Sequence, residues 1–289
     1  MRSGVTYFGL MVNHRVKEVM YSFSNFGSYN FVKMMLFNTS GYLSRRGWEI
    51  DLCFFCGELV VMIKIAFLLG RPGSGKSTLA QLIEASARKR GLVTQHLYDY
   101  KYLQDMFQQE IEAKVPLEER AFRQKGPEAC QGFDVRDFNV LDIALEQMAK
   151  KISTEELDHS EENKLILIEF ARKEYCRALH IFGFDILRDA HLFYIKLGLE
   201  TCIERVHQRV VENCSKSEFD HFVSEEIMND YYNSDDWLDG RISEYRDYLQ
   251  RDHVHVSIKE IDNLGTYREL EEKVEEIVSL LVPELTTVL

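Results

Sequence analysis

A chain of 289 residues with 45% hydrophobic content is long and apolar enough to bury one sizeable core with a smaller appendage, which excludes disorder throughout. Its formal net charge of −12 leaves no whole-chain basic footprint of the kind that holds duplex nucleic acid. Six cysteines, at positions 53, 56, 130, 176, 202 and 214, are too sparse for a disulfide scaffold; with no convincing secretory signal, a reducing cytoplasm is the expected compartment.

Residues 1–61 differ in kind from the rest. They carry six Lys/Arg against four acids, which leaves −14 for the remainder, and twelve of the 34 aromatics with no proline and no sustained period. Met62 stands directly before the first regular strand, so this stretch reads either as a small N-terminal appendage or as an extension outside the native chain. Cys53-Phe54-Phe55-Cys56 has the spacing of half a zinc site or a redox pair, but no second Cys/His pair completes a four-ligand shell. The apolar run from Leu52 to Leu69 is interrupted by Glu58 and Lys64, and a buried strand explains its second half better than a membrane span.

From Met62 onward the pattern alternates. Residues 62–69 form a short apolar run, then a glycine loop, then a helix over 77–90 with Leu79, Leu82, Ile83 and Ala87 on one face and Gly91 as its stop. A second strand fits 93–98. The stretch 99–152 is mostly helical in period, broken at Pro116 and Gly126-Pro127, and reads as a helical insertion between strands. Strands follow at 164–169 and 191–197, and a helix at 200–211. An acidic, irregular excursion at 212–240 reads as mobile. A helix at 241–251, a fifth strand at 253–258 and a closing helix at 267–281 complete the chain. Strands alternating with helices predict an α/β fold of three layers, with a five-stranded parallel sheet covered on both faces.

Gly70-Arg71-Pro72-Gly73-Ser74-Gly75-Lys76-Ser77 fits G-x-x-x-x-G-K-[ST] without mismatch, in the strand-to-helix context that this P-loop pattern requires. Its glycines let successive N–H groups point at phosphate oxygens, and the helix N-terminus adds attraction. Lys76 would reach the β- and γ-phosphates of ATP, and Ser77 would hold Mg2+. Thr78 is the neighbour that need not touch the ligand.

Other candidates cluster at strand ends, where ligands gather in open α/β sheets. Glu169 ends an apolar strand and can contact Mg2+ through water, act as a base, or stand as a solvated acid. Asp99 closes the second strand and can receive or orient the proton of an acceptor hydroxyl, or cap the following helix. Arg172 can pair with Glu169 or contact substrate. Arg205 and Arg209, four apart, share a helix face; turned inward they would neutralise developing charge, and turned outward they would pair with Glu204 or Glu212. Arg241 and Arg246 after the excursion, and Arg120, Arg123, Lys125 and Arg136 in the insertion, are further substrate candidates. The histidines show no metal spacing.

With these residues in place, the stretch 62–281 resembles the adenylate-kinase-like group of P-loop kinases, which includes nucleoside monophosphate, shikimate and gluconate kinases. The resemblance implies that 99–152 binds the acceptor and that 212–240 is a lid closing over the triphosphate. Cys202-Ile203-Glu204-Arg205-Val206-His207-Gln208-Arg209 is similar to the group's arginine-bearing helix, implying Arg205 near the base and Arg209 near the phosphates. Arg241-Ile242-Ser243-Glu244-Tyr245 is similar to its R-[IL]-x-x-Y stretch, and Asp235-Asp236 loosely resembles the acidic pair of some lids. Glu169-Phe170-Ala171-Arg172 resembles the E-R-S motif of deoxynucleoside kinases with two extra residues inserted.

The expectation is a kinase with ATP and Mg2+ as cofactors and a small-molecule acceptor as partner, with no role for a membrane or nucleic acid. A nucleotide-gated regulatory ATPase and a polynucleotide end kinase are the alternatives.

Overall fold

The computed structural model describes residues 62–125, 132–156, 162–213, 222–243, 245, 247 and 256–282, together with five short strands among the first 37 residues. The chain divides into two units, Met1–Glu58 and Leu59–Leu289. In the first, Thr6–Tyr7 pairs antiparallel with Tyr21–Ser22, and Val16–Glu18 pairs antiparallel with both Met11–Asn13 and Leu36–Phe37. Cys53 and Cys56 lie outside the described residues.

The second unit is built on five parallel strands: β1 (Ile63–Leu69), β2 (Val93–Tyr98), β5 (Lys164–Phe170), β6 (His191–Lys196) and β7 (Ser257–Asp262), in the order β2-β5-β1-β6-β7. The expected three-layer sheet is present. Its strands are apolar runs because both faces are covered. Ile65, Phe67 and Leu69 of β1 face a layer containing α3 (Asn139–Lys151) and α4 (Tyr175–Ile181), whereas Ala66 and Leu68 face α1 (Lys76–Lys89) and the C-terminal helix, α8 (Tyr267–Leu281). Phe67, Leu68 and Leu69 are wholly buried, and burial of such side chains stabilises by about 1.5–3 kcal/mol each. Leu270, Val274, Ile277, Val278 and Leu281 of α8 point inward as their spacing predicts.

The insertion departs from the mostly helical expectation. Between α2 (Asp99–Glu112) and α3 stands a hairpin of β3 (Phe122–Gln124) and β4 (Phe133–Val135), in antiparallel register. Three-residue strands are too short to display a period of two. Tertiary packing decides them: Phe122 and Phe133 join Tyr100, Leu103 and Phe107 in a separate aromatic cluster. A five-residue π-turn over Ile152–Glu156 extends α3.

After β5 come α4 and α5 (Gly183–Leu187), and after β6 come α6 (Leu199–Asn213) and α7 (Glu225–Asp230). The excursion expected to be mobile is packed in its described part, 222–240: Asp235, Asp236 and Trp237 are buried, and the Trp237 ring stacks on Tyr194 at 4.7 Å. Its composition hid this because the buried acids are consumed as acceptors. The expected helix at 241–251 lies largely outside the described residues. The fifth strand begins at Ser257, four residues later than expected from the apolar alternation at 253–258. As an edge strand β7 buries only Ile261, so it lacks the apolar signature of its neighbours. Among the described residues no helix is long and apolar enough to cross a membrane.

A capping box starts α8: Glu269 N–H donates to Thr266 Oγ1, and Thr266 N–H donates to Glu269 Oε2. Thr266→Ala is expected to lower stability by about 1 kcal/mol, read as a shifted midpoint with unchanged slope in urea unfolding.

Candidate functional site

Because the strands are parallel, the carboxyl ends of β1, β2 and β5 meet at one edge of the sheet, and the candidate residues gather there. Gly70–Ser77 leaves β1 and enters α1 with Gly75 at φ +99°, a left-handed conformation that favours glycine. A Cβ on Gly75 would fall 2.3 Å from Asn263 Nδ2, and one on Gly73 would fall 2.4 Å from the Cys202 carbonyl oxygen. The loop is thus hemmed by the end of β7 and by α6. Asn263 Nδ2 donates to Ser74 O at 2.7 Å, and Gly70 N–H donates to Tyr175 Oη at 2.9 Å.

The loop's side chains divide into two roles. Lys76 is buried, and its Nζ donates to Gly70 O and Arg71 O, both at 2.9 Å. Burial lowers its pKa, opposed by the charges of Glu169 and Asp99. Arg71 is turned away from the loop's concavity: Nε donates to Tyr232 O at 2.6 Å, Nη2 to Asn233 O at 2.7 Å and Nη1 to Leu197 O at 3.3 Å. Its side chain is an anchor. Pro72 lines the cleft, and Thr78 is exposed on α1.

Ser77 Oγ donates to Glu169 Oε1 at 2.8 Å, and His96 Nε2 stands 3.0 Å from Glu169 Oε2. Burial pushes the Glu169 pKa up, but the His96 hydrogen bond, the Lys76 charge and the Ser77 hydroxyl outweigh it and hold the carboxylate below its ordinary range. Against an ionised carboxylate, Nε2 of His96 carries the hydrogen. Glu169 is therefore not a solvated strand-end acid. Sequence reasoning passed over His96; it lies opposite Leu167 in the register and so one step along the same face from Glu169. Only the pairing of β2 with β5 makes that visible.

Arg172 corrects a further expectation, since it pairs with Asp99 and not with Glu169. It also donates to Ala171 O at 2.7 Å and Leu141 O at 2.6 Å. Asp99 does not cap α2; it is the first helical residue, and Tyr98 occupies the cap without a side-chain bond. Burial raises the Asp99 pKa, with the Arg172 charge and hydrogen bond opposing.

Arg205 lies against the far side of the loop, its Nη2 3.3 Å from Asn263 O, and Arg209 is near enough to lower the pKa of Lys76 by its charge. The other arginines are not brought together here. Arg123 donates to Glu226 at 3.0 Å, Arg136 to Leu117 O at 2.7 Å, and Arg120 to Val115 O at 2.8 Å. Arg241 stands 3.8 Å from Asp239, and Arg246 lies outside the described residues. Asp235 and Asp236 serve the scaffold: Tyr194 Oη donates to Asp235, and Asp236 accepts from the Tyr175 and Cys176 N–H groups at the start of α4.

One cleft joins these parts. Lys76, Asp99 and Glu169 line it together with aromatic and aliphatic residues of the insertion and of the segment around α7.

The strand order, with the phosphate-loop sequence between β1 and α1, is that of the P-loop kinase-like fold. No protein-family model and no curated protein matches the chain. Among solved structures it is similar to a gluconokinase from Sinorhizobium meliloti 1021, at 12% identity over 77% of this chain and 95% of that one, with a TM-score of 0.42. It is also similar to Chaetomium thermophilum Kti12 in complex with ADP-AlF3, at 10% identity over 75% of this chain and 98% of that one, with a TM-score of 0.43.

The depressed Glu169 pKa has a definite sign. Its contribution to stability is present above the ordinary value of 4.5 and is lost as pH falls through the lower folded value. His96→Ala removes the leading favourable partner, so the variant is expected to lose about 1–3 kcal/mol near neutrality and to show a shallower loss below pH 4.5. Urea unfolding from pH 3 to 7 measures both; an unchanged acid limb would show that His96 does not hold the carboxylate.

Proposed function

We propose that the protein is a magnesium-dependent ATP phosphotransferase that moves the γ-phosphate to a small-molecule hydroxyl or phosphate acceptor. The observation that supports this is the shared cleft: Lys76, Asp99 and Glu169 line the same space as the insertion's Tyr100 and Phe133. A triphosphate on the loop and an acceptor on the insertion would meet there.

The donor chemistry fits Mg2+. A hydroxyl and a carboxylate oxygen, from Ser77 and Glu169, lie 2.8 Å apart beside the phosphate loop. That matches an ion held by one or two protein groups and the phosphates themselves. Ser77 would hold it directly and Glu169 through water; bound there, Mg2+ would neutralise charge on the β- and γ-oxygens.

Lys76 exchanges its loop carbonyls for phosphate oxygens, and Arg209, whose charge is felt at Lys76, adds positive charge. Arg205, beside Asn263, would serve the nucleoside end of the triphosphate, as the resemblance to the kinase group implies. Of the two carboxylates, Asp99 suits the base. Its raised pKa favours proton capture, whereas Glu169 is committed to Ser77 and His96 and held ionised. Asp99 takes the proton as the acceptor oxygen attacks, and Arg172 fixes the carboxylate's orientation. Residues around α7 also line the cleft and would help exclude water from it.

Lys76→Ala is expected to abolish nucleotide binding, measured by calorimetry with ADP and Mg2+; unchanged binding would overturn the site. Asp99→Asn should keep nucleotide binding and lower acceptor-dependent ADP release by about 10²–10⁴-fold. Slow ADP release indifferent to acceptor would support a nucleotide-gated switch instead, and turnover confined to oligonucleotide ends a polynucleotide kinase.

A further inference from the structure

The acceptor end of the cleft has an unusual balance of charge. Its walls are Tyr100, Leu103, Phe133, Phe138, Leu141 and Ile227. Three of these belong to stacked pairs: Tyr100 lies parallel to Phe133 at 5.4 Å, and Phe138 lies parallel to Tyr231 at 4.3 Å. Besides the Tyr100 and Tyr232 hydroxyls, the polar side chains lining the cleft away from the phosphate loop are carboxylates. Asp99 stands at the phosphate end, and Asp134 lines the cleft from β4 with only 1% of its side chain exposed.

Asp134 is half satisfied. Its Oδ1 accepts from Ser224 N–H at 3.2 Å, while Oδ2 is buried without a hydrogen-bond donor. Arg123 Nη2 forms an ion pair with this oxygen at 3.6 Å, longer than a hydrogen bond, and donates its hydrogen bond to Glu226. A buried carboxylate oxygen left without a hydrogen-bond donor is unfavourable unless a ligand supplies one.

Cations that could take an anionic acceptor are turned elsewhere. Arg172 is consumed by Asp99 and two carbonyls, Arg136 reaches Leu117 O, and Arg241 is an exposed partner of Asp239. Lys76, at the phosphate loop, is the one Lys or Arg among the described residues lining the cleft. A phosphate or carboxylate on the acceptor would share the cleft with the Asp99 and Asp134 carboxylates and meet no guanidinium among its described lining residues.

We infer that the acceptor is a small alcohol with a flat apolar body and a nitrogen-borne hydrogen-bond donor, an amine or amide, which Asp134 Oδ2 accepts while the hydroxyl faces Asp99. The inference rests on the phosphotransfer reading but concerns the pocket alone. In the transfer itself, the hydroxyl oxygen bonds to the γ-phosphorus as the bond to the β–γ bridging oxygen breaks; ADP leaves, and the hydroxyl proton passes to Asp99.

The test reads binding apart from turnover, on the full chain with ADP and Mg2+. Phenylalaninol and 3-phenyllactate share a ring and a hydroxyl and differ in carrying an amine or a carboxylate; ligand-observed NMR gives their affinities. Phenylalaninol is expected to bind at least about tenfold tighter, the size of one charge-assisted hydrogen bond. Asp134→Asn keeps the acceptor for Ser224 N–H, and it should erase that preference while ADP affinity is unchanged. Equal affinities, the reverse order, binding of neither at millimolar concentration, or a preference that survives Asp134→Asn would each overturn the inference. Failure of the phosphotransfer reading looks different: phenylalaninol would bind as stated, yet no hydroxyl compound would stimulate ADP release.

Discussion

Four charged side chains are gathered at one sheet edge: Lys76, Glu169 and Arg172 are each under 8% exposed, and Asp99 has a side chain 14% exposed. Taken singly, each buried charge would cost several kcal/mol of lost hydration. They persist because each is answered locally: Lys76 by loop carbonyls, Glu169 by Ser77 and His96, and Arg172 by Asp99 with two backbone oxygens. The arrangement requires β1, β2 and β5 to end together, which parallel pairing in this register achieves. A one-residue slip of β5 would turn Glu169 to the opposite face and leave Ser77 and His96 unmatched.

A second layer of contacts holds that edge in place. Arg71 grips the carbonyls of Tyr232 and Asn233, Asp236 receives the first N–H groups of α4, and Tyr175 at the start of α4 accepts from Gly70 N–H. The segment 231–237 thereby touches the phosphate loop, the helix behind it and, through Tyr194 and Asp235, strand β6. Tyr232 also lines the cleft. The loop and one wall of the acceptor space thus share a support.

Much of the frame was legible in the sequence because fully buried parallel strands leave continuous apolar runs, as at 63–69 and 164–170, and because the P-loop octapeptide is specific. The ends of α1 and α8 were legible from Gly91 and from the inward stripe Leu270, Val274, Ile277, Val278, Leu281. Elements held by tertiary contacts were not. The β3–β4 hairpin is too short for a period, and β7 is an edge strand with one buried residue. Misplacing β7 also hid Asn263, which stands at a strand end only once the register is known. The arginines nominated as substrate contacts illustrate the remaining limit. Composition names the charge, but only packing tells whether Arg172 meets a ligand or a neighbouring Asp99.

The position of Arg71 carries a consequence for modularity. In the octapeptide it is one of the unspecified places, yet here its guanidinium holds three carbonyls from outside the loop. The phosphate cradle is therefore not an interchangeable cassette. Eight residues transplanted from another phosphate-binding protein could preserve every glycine, the lysine and the serine, and still sever the loop from the scaffold that aims it.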